Sequence, residues 1–170
     1  TLGRRDEARR ALEGLPERLT RVLGAAHGET LLSIRLQARL AAYDGDFAKA
    51  LNSLDQVARA LRAANQPQTL GYTLVQASNV ALVAGETARA ETLAREAVGI
   101  FAGLFGTAHG DTAFAGSALG AALAHRGAFA EAQRELDAAS ATEVATELGT
   151  SDFHADTLER QGDLLLRQRR

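Results

Sequence analysis

Residues 109–139 read HGDTAFAGSALGAALAHRGAFAEAQRELDAA. Leu119 and Leu123 stand before Gly127, and Phe129, Ala132, Leu136 and Ala139 stand after it. They recur at steps of three and four, the spacing of one face of an α-helix. Gly127 falls where the first helix must stop and the chain reverse, because glycine enters the left-handed conformation without a Cβ penalty. The stretch therefore reads as helix, turn, helix.

The same unit recurs along the chain. Gly3 with Ala8, Gly45 with Ala50, Gly85 with Ala90 and Gly127 with Ala132 share one spacing, and their glycines lie 42, 40 and 42 residues apart. Such a register is the mark of a repeat architecture. A second feature keeps the same beat. His27-Gly-Glu-Thr30 and His109-Gly-Asp-Thr112 each begin 18 residues before the next turn glycine. His154-Ala-Asp-Thr157 is a third copy displaced by three residues, and Gln66-Pro67-Gln68-Thr69 replaces the motif in the second unit. Asp46 is a good N-cap after Gly45, whereas Glu86 and Ala128 are weaker ones.

These marks map first helices at about 30–43, 69–84, 111–126 and 155–168, and second helices at about 4–23, 46–64, 86–105 and 128–148. Pro16, after Gly14, is expected to break or kink the segment 4–23. One array over 1–170 is expected, opening on a second helix without its first and closing on a first helix without its second. Because the chain starts with Thr inside a repeat, a fragment of a longer protein is expected.

Composition agrees with helices. The chain is 46% hydrophobic with only 5% aromatic residues and two Pro, so the apolar content is mostly Ala, Leu and Val. Ala and Leu lead the helix-propensity ranking. The absence of Cys removes disulfides and thiolate metal sites. No apolar run approaches the roughly 20 residues that span a bilayer, and no signal segment opens the chain, so no membrane partner and a cytoplasmic location are expected. The net charge of -2 is uneven: residues 1–62 carry 11 basic and 8 acidic side chains, residues 63–163 carry 5 and 13, and Arg167, Arg169 and Arg170 follow. An acidic middle argues against nucleic acid, which needs a basic face.

With those residues in place, the sequence resembles the tetratricopeptide repeat (TPR) family. Leu119, Gly120 and Leu123 match its first-helix sites, and Gly127, Ala132, Leu136 and Ala139 its turn and second-helix sites. Gln37 in the first unit and Ala77, Ser78 and Ala81 in the second depart from it. The long period and the His-x-[Asp/Glu]-Thr loop resemble the kinesin-light-chain-like subtype, which is common in bacterial signalling proteins; Arg in great excess over Lys points the same way. The resemblance implies an all-α fold of antiparallel helix pairs stacked as a right-handed superhelix, an α-solenoid. It implies protein binding on a concave face lined by the first helices, and no enzyme activity.

Counted from the turn glycines, that face would present Arg35, Arg39 and Tyr43, then Tyr72, Gln76 and Asn79, then Phe114, Ser117 and His125. Arg35 and Arg39, one turn apart, suit a carboxylate on a protein or peptide ligand. Asn79 can both donate to and accept from an extended backbone. A full clamp of cations is not expected, because the third unit offers Ser117, Ala118 and Ala121.

His27, His109 and His154 invite a metal reading. Ligands must converge to about 2.0–2.1 Å from one ion, and positions one repeat apart are separated by about 10 Å or more. A structural role at the loops is expected instead. No Gly-rich phosphate loop, Gly-x-Ser-x-Gly or paired Cys occurs, so no catalytic residue, cofactor or metal is assigned. Two alternatives stand beside the binding scaffold. One is the regulatory C-terminal region of a larger bacterial signalling enzyme such as a serine/threonine kinase. The other is self-association through the terminal helices, for instance as a homodimer burying Leu158, Leu164, Leu165 and Leu166.

Overall fold

The structure, a computed structural model, describes residues 2–146 and 152–169. The described elements are helices: α1 (Leu2–Leu12), α2 (Leu15–Leu23), α3 (Gly28–Tyr43), α4 (Phe47–Ala63), α5 (Pro67–Val83), α6 (Thr87–Phe105), α7 (Gly110–Arg126), α8 (Phe129–Ala145) and α9 (Asp152–Gln168). They fall into two compact units, Thr1–Thr73 and Leu74–Arg170.

Three turns repeat one geometry. Gly45, Gly85 and Gly127 have φ of 83°, 82° and 85°. The residue after each glycine donates its N–H five residues back: Asp46 to Ala41, Glu86 to Ala81, and Ala128 to Leu123, at 2.8–3.0 Å. This closes the last turn of the preceding helix on its otherwise unpaired carbonyls. Asp46 also caps α4 by accepting from the Lys49 N–H at 3.1 Å, while Glu86 and Ala128 make no side-chain cap. The register that fixes each helix pair is thus a backbone property of the glycine.

In the first unit, α3 packs on α4, and Ala38 of α3 and Ala50, Leu54, Val57 and Leu61 of α4 are essentially buried. Each fully buried Leu or Val contributes about 1.5–3 kcal/mol of transfer free energy. The segment before α3 is two helices. Gly14 takes φ 62° and Pro16 sits in the first turn of α2, where its missing N–H costs no bond. The break exposes the carbonyl end of α1, and Gln37 Nε2 donates to Leu12 O at 2.9 Å. The departure from the repeat at Gln37 therefore serves the break at Pro16.

In the second unit, α7 packs against α6, α8 and α9. A Cβ built on Gly120 would lie 2.6 Å from Leu136 Cγ and 3.3 Å from Ala132 O, so α7 and α8 cross at glycine distance. Ser78, another of the departures, donates to Ala90 O at 2.8 Å and so ties α5 to α6. A polar residue at an apolar seam is tolerated because its hydroxyl is satisfied.

Candidate peptide-binding face

Two of the three His motifs position first helices. His27 Nδ1 accepts from the Glu29 N–H at 3.3 Å and His109 Nδ1 from the Asp111 N–H at 3.1 Å, each capping its helix. Thr30 and Thr112 donate to Gly24 O and Gly106 O at 2.9 and 2.8 Å, folding the loop back on the preceding helix end. Glu29 and Asp111 in the first turn suit the helix dipole. Phe105 stacks on His109 with ring centroids 4.5 Å apart.

The third copy behaves differently and corrects the loop reading of His154. The helix α9 begins at Asp152, so His154 lies inside it. Ala155 replaces the glycine of the other two motifs and is a strong helix former, while Asp152 favours a helix start. His154 Nδ1 is 3.0 Å from Glu143 Oε2, and both side chains are largely buried.

In the first unit, Arg35 and Arg39 both project from α3. Burial first, then the Arg39 charge, hold the half-buried Arg35 guanidinium below the ordinary arginine pKa. Two like charges at this spacing concentrate positive potential. Arg39 and Tyr43 are exposed, and Tyr72 is half-buried. Arg39 also lines an open cleft of about 260 Å³ with Ala8, Ala11, Leu12, Leu36 and Leu40. A larger pocket of about 450 Å³ is flanked by charged side chains, with Arg9 bidentate on Asp44 at 2.9 and 3.0 Å.

In the second unit, Gln76, Asn79 and Phe114 are half-buried, Ser117 is buried and His125 is exposed. Here α9 reaches them. Arg160 donates from Nη1 to Ser117 Oγ at 3.1 Å and from Nη2 to Asn79 Oδ1 at 3.3 Å. Thr157 Oγ1 lies 2.9 Å from Ser117 Oγ and 3.0 Å from Glu143 Oε1. With Arg160 donating to Ser117, Ser117 to Thr157 and Thr157 to Glu143, each hydroxyl gives its one proton and the chain runs from cation to carboxylate. Burial pushes the Arg160 pKa down, opposed by the charges of Asp156, Glu143 and Glu159. At the other end of α9, Arg167 Nη2 approaches His125 Nε2 to 2.8 Å. Burial, then the Arg167 charge, lower the His125 pKa against an opposite pull from Asp163, which fits a neutral imidazole accepting from Arg167.

Sequence patterning does not single out Arg160, Thr157 and Glu143 as site residues. It does hold one signal. In the repeat register Glu143 stands where the other second helices carry Leu61 and Phe101, both 0% exposed, and Glu143 is itself only 1% exposed. A carboxylate at an apolar seam position needs partners, and α9 supplies them.

No protein-family model matches the sequence, and no curated protein matches it either. Solved structures do. Two crystal structures of nearly identical TPR-like repeats, assigned to a kinesin light chain of Podosopora anserina, superpose with TM-scores of 0.74 and 0.72. They are 19% and 20% identical in sequence, and each comparison covers 98% of this chain and 83% of the other. The chain has the TPR-like repeat fold. At this identity the likeness speaks for the fold alone. The TPR-like reading accounts for the three glycine turns, the two capping loops and the small residues at the helix crossings. Among the described residues, no helix of the TPR-like chain is long and apolar enough to cross a membrane.

Proposed function

We propose that the chain is a non-enzymatic scaffold module that binds an extended acidic segment of another protein along α3. The observation carrying this reading is the pair Arg35 and Arg39, one helical turn apart, with exposed Tyr43 one turn further on. Two cations and a ring make an anchor for carboxylates beside an apolar side chain. In the second unit, Gln76 and Phe114 are half-buried candidates of their own, while Asn79 and Ser117 already hold Arg160. The array is read as one TPR-like module, located in the cytoplasm and fit to serve as part of a larger bacterial signalling protein.

A displayed random-peptide library selected on the native chain tests the proposal. Selected peptides are expected to be rich in Asp and Glu, and Arg35→Glu/Arg39→Glu should weaken them at least about tenfold, the effect of losing roughly 1.4 kcal/mol. Tyr43→Ala should weaken them less. Equal affinity for the double variant, with helical content unchanged, removes α3 as the binding face.

A further inference from the structure

The helix pair α7–α8 carries a cavity that the repeat register explains. Counted back from the turn glycines, Gly116 is the counterpart of Ile34 and Leu74, which are 9% and 1% exposed. Two pairs fill this position with a branched side chain, and the third has no side chain there. A cavity of about 190 Å³ lies at the same place, on the seam of α6, α7 and α8, with Val98, Ala113, Gly116 and Ala139 as its apolar lining.

Polar groups converge on this cavity. Glu135, Ala139 and Thr142 follow one face of α8 at steps of four and three, and Thr107 reaches the cavity from the loop before α7. A Cβ built on Gly116 would lie 3.8 Å from Glu135 Oε2, so the carboxylate stands over the glycine. In repeat register Glu135 matches Ser53 and Leu93, so a charge enters this position only in the third pair. Among the described residues, none hydrogen-bonds or ion-pairs with the Glu135 carboxylate or with the Thr107 and Thr142 hydroxyls. The cations one turn away are committed elsewhere: Arg95 and Arg126 are both held by Glu91 and Glu131.

We propose that this cavity receives the side chain of a lysine from a partner protein, its ammonium on Glu135, Thr107 and Thr142 and its methylenes along Val98, Ala113 and Gly116. An ammonium has three donors and no acceptor, and one carboxylate with two hydroxyl oxygens answers all three. Arginine fits less well, because its planar fork is wider and calls for paired oxygens in one plane. Size separates a protein side chain from a free metabolite. Pockets for small molecules run to about 300–1,000 Å³. This cavity is smaller, and Thr107 and Ala138 at its edge are exposed, which suits one side chain delivered by another surface. Charge agrees: residues 63–163 carry 13 acidic and 5 basic side chains, a field that draws cations. This recognition goes beyond acidic-segment binding on α3 and does not depend on it.

The test is a titration of the full chain with the end-blocked peptide Gly-Gly-Lys-Gly-Gly, followed by amide NMR. Shifts should centre on Thr107, Gly116 and Thr142. Affinity should be millimolar, since one ion pair open to water contributes little. The same peptide with norleucine or arginine in place of lysine should bind several-fold more weakly. Glu135→Gln should weaken the lysine peptide about fivefold. Gly116→Leu, which restores the residue type of Leu74, should abolish binding by filling the cavity. Gly116→Ala keeps the test sound if the leucine variant misfolds: its Cβ meets nothing closer than 3.8 Å, so it should fold as the native chain does and still bind more weakly. Circular dichroism checks both variants. Absence of shifts at these residues with tens of millimolar lysine peptide overturns the proposal. So does equal binding of the norleucine or arginine peptide, or equal binding by Glu135→Gln. Shifts with n-butylamine but none with the peptide would make the ligand a free amine, and would overturn the assignment to a partner's lysine.

Discussion

Helices α7 and α9 carry the same four-residue motif in almost the same letters, and they use it in opposite ways. In α7 the motif lies at the helix start: His109 caps it and Thr112 ties down the loop. In α9 the motif lies within the helix, and His154 and Thr157 both turn to the buried Glu143. Around α7 the neighbouring helices approach closely enough to require Gly120, whereas the matching position of α9 is the exposed Leu165. The difference teaches that a repeat motif specifies hydrogen-bonding capacity, and that the surrounding helices decide what it bonds.

Exchanging the two crossing residues should break the comparison most sharply. Gly120→Leu forces a side chain into Leu136 and should cost about 3 kcal/mol or prevent folding. Leu165→Gly, at an exposed site, should cost only about 1 kcal/mol from helix propensity. Urea unfolding midpoints of the two variants measure the gap.

Glu143 comes next. Glu143→Ala removes the carboxylate that Thr157 and His154 bond and opens a void, for an expected loss of about 2–3 kcal/mol. Glu143→Leu, which restores the residue type of Leu61, should lose about 1 kcal/mol less than the alanine variant, because apolar filling at a seam offsets part of the lost bonding. Thermal unfolding, followed by hydrogen exchange in α9, separates the two.

A smaller effect is expected at the capping loop. His109→Ala should cost about 1 kcal/mol and raise amide exchange in the first turn of α7. His109→Asn should be nearly neutral, since Asn is itself a strong cap.

The smallest effect concerns pH. The folded chain holds the His125 pKa below its ordinary 6.5, so as pH falls the unfolded chain takes up the proton first. Stability from neutral His125 is therefore whole above that value, declines as pH falls through it, and stops declining below the folded-state pKa. Thermal unfolding between about pH 7.5 and 5.5 should show this slope in the native chain. It should be shallower in His125→Gln, which still accepts from Arg167 without titrating.

The features legible in the amino-acid sequence are those that local chemistry fixes. The glycine turns, the caps at His27 and His109 and the break at Pro16 each depend on residues within one turn or loop, and a few residues of sequence contain all the partners. Gln37 and Ser78 stand out in the sequence as departures, but their partners Leu12 O and Ala90 O belong to neighbouring helices. The α9 network lies further out of reach. Arg160 finds Ser117 on α7 and Asn79 on α5 across 43 and 81 residues, and only the stacking of helices brings them within hydrogen-bonding distance. The sequence by itself determined the repeat, its helix pairs and its turns, because backbone conformation and capping are local. Tertiary structure alone decided that Asn79 and Ser117 bond to Arg160, and that Glu143 is buried with partners, because burial and long-range pairing exist only once helices are stacked.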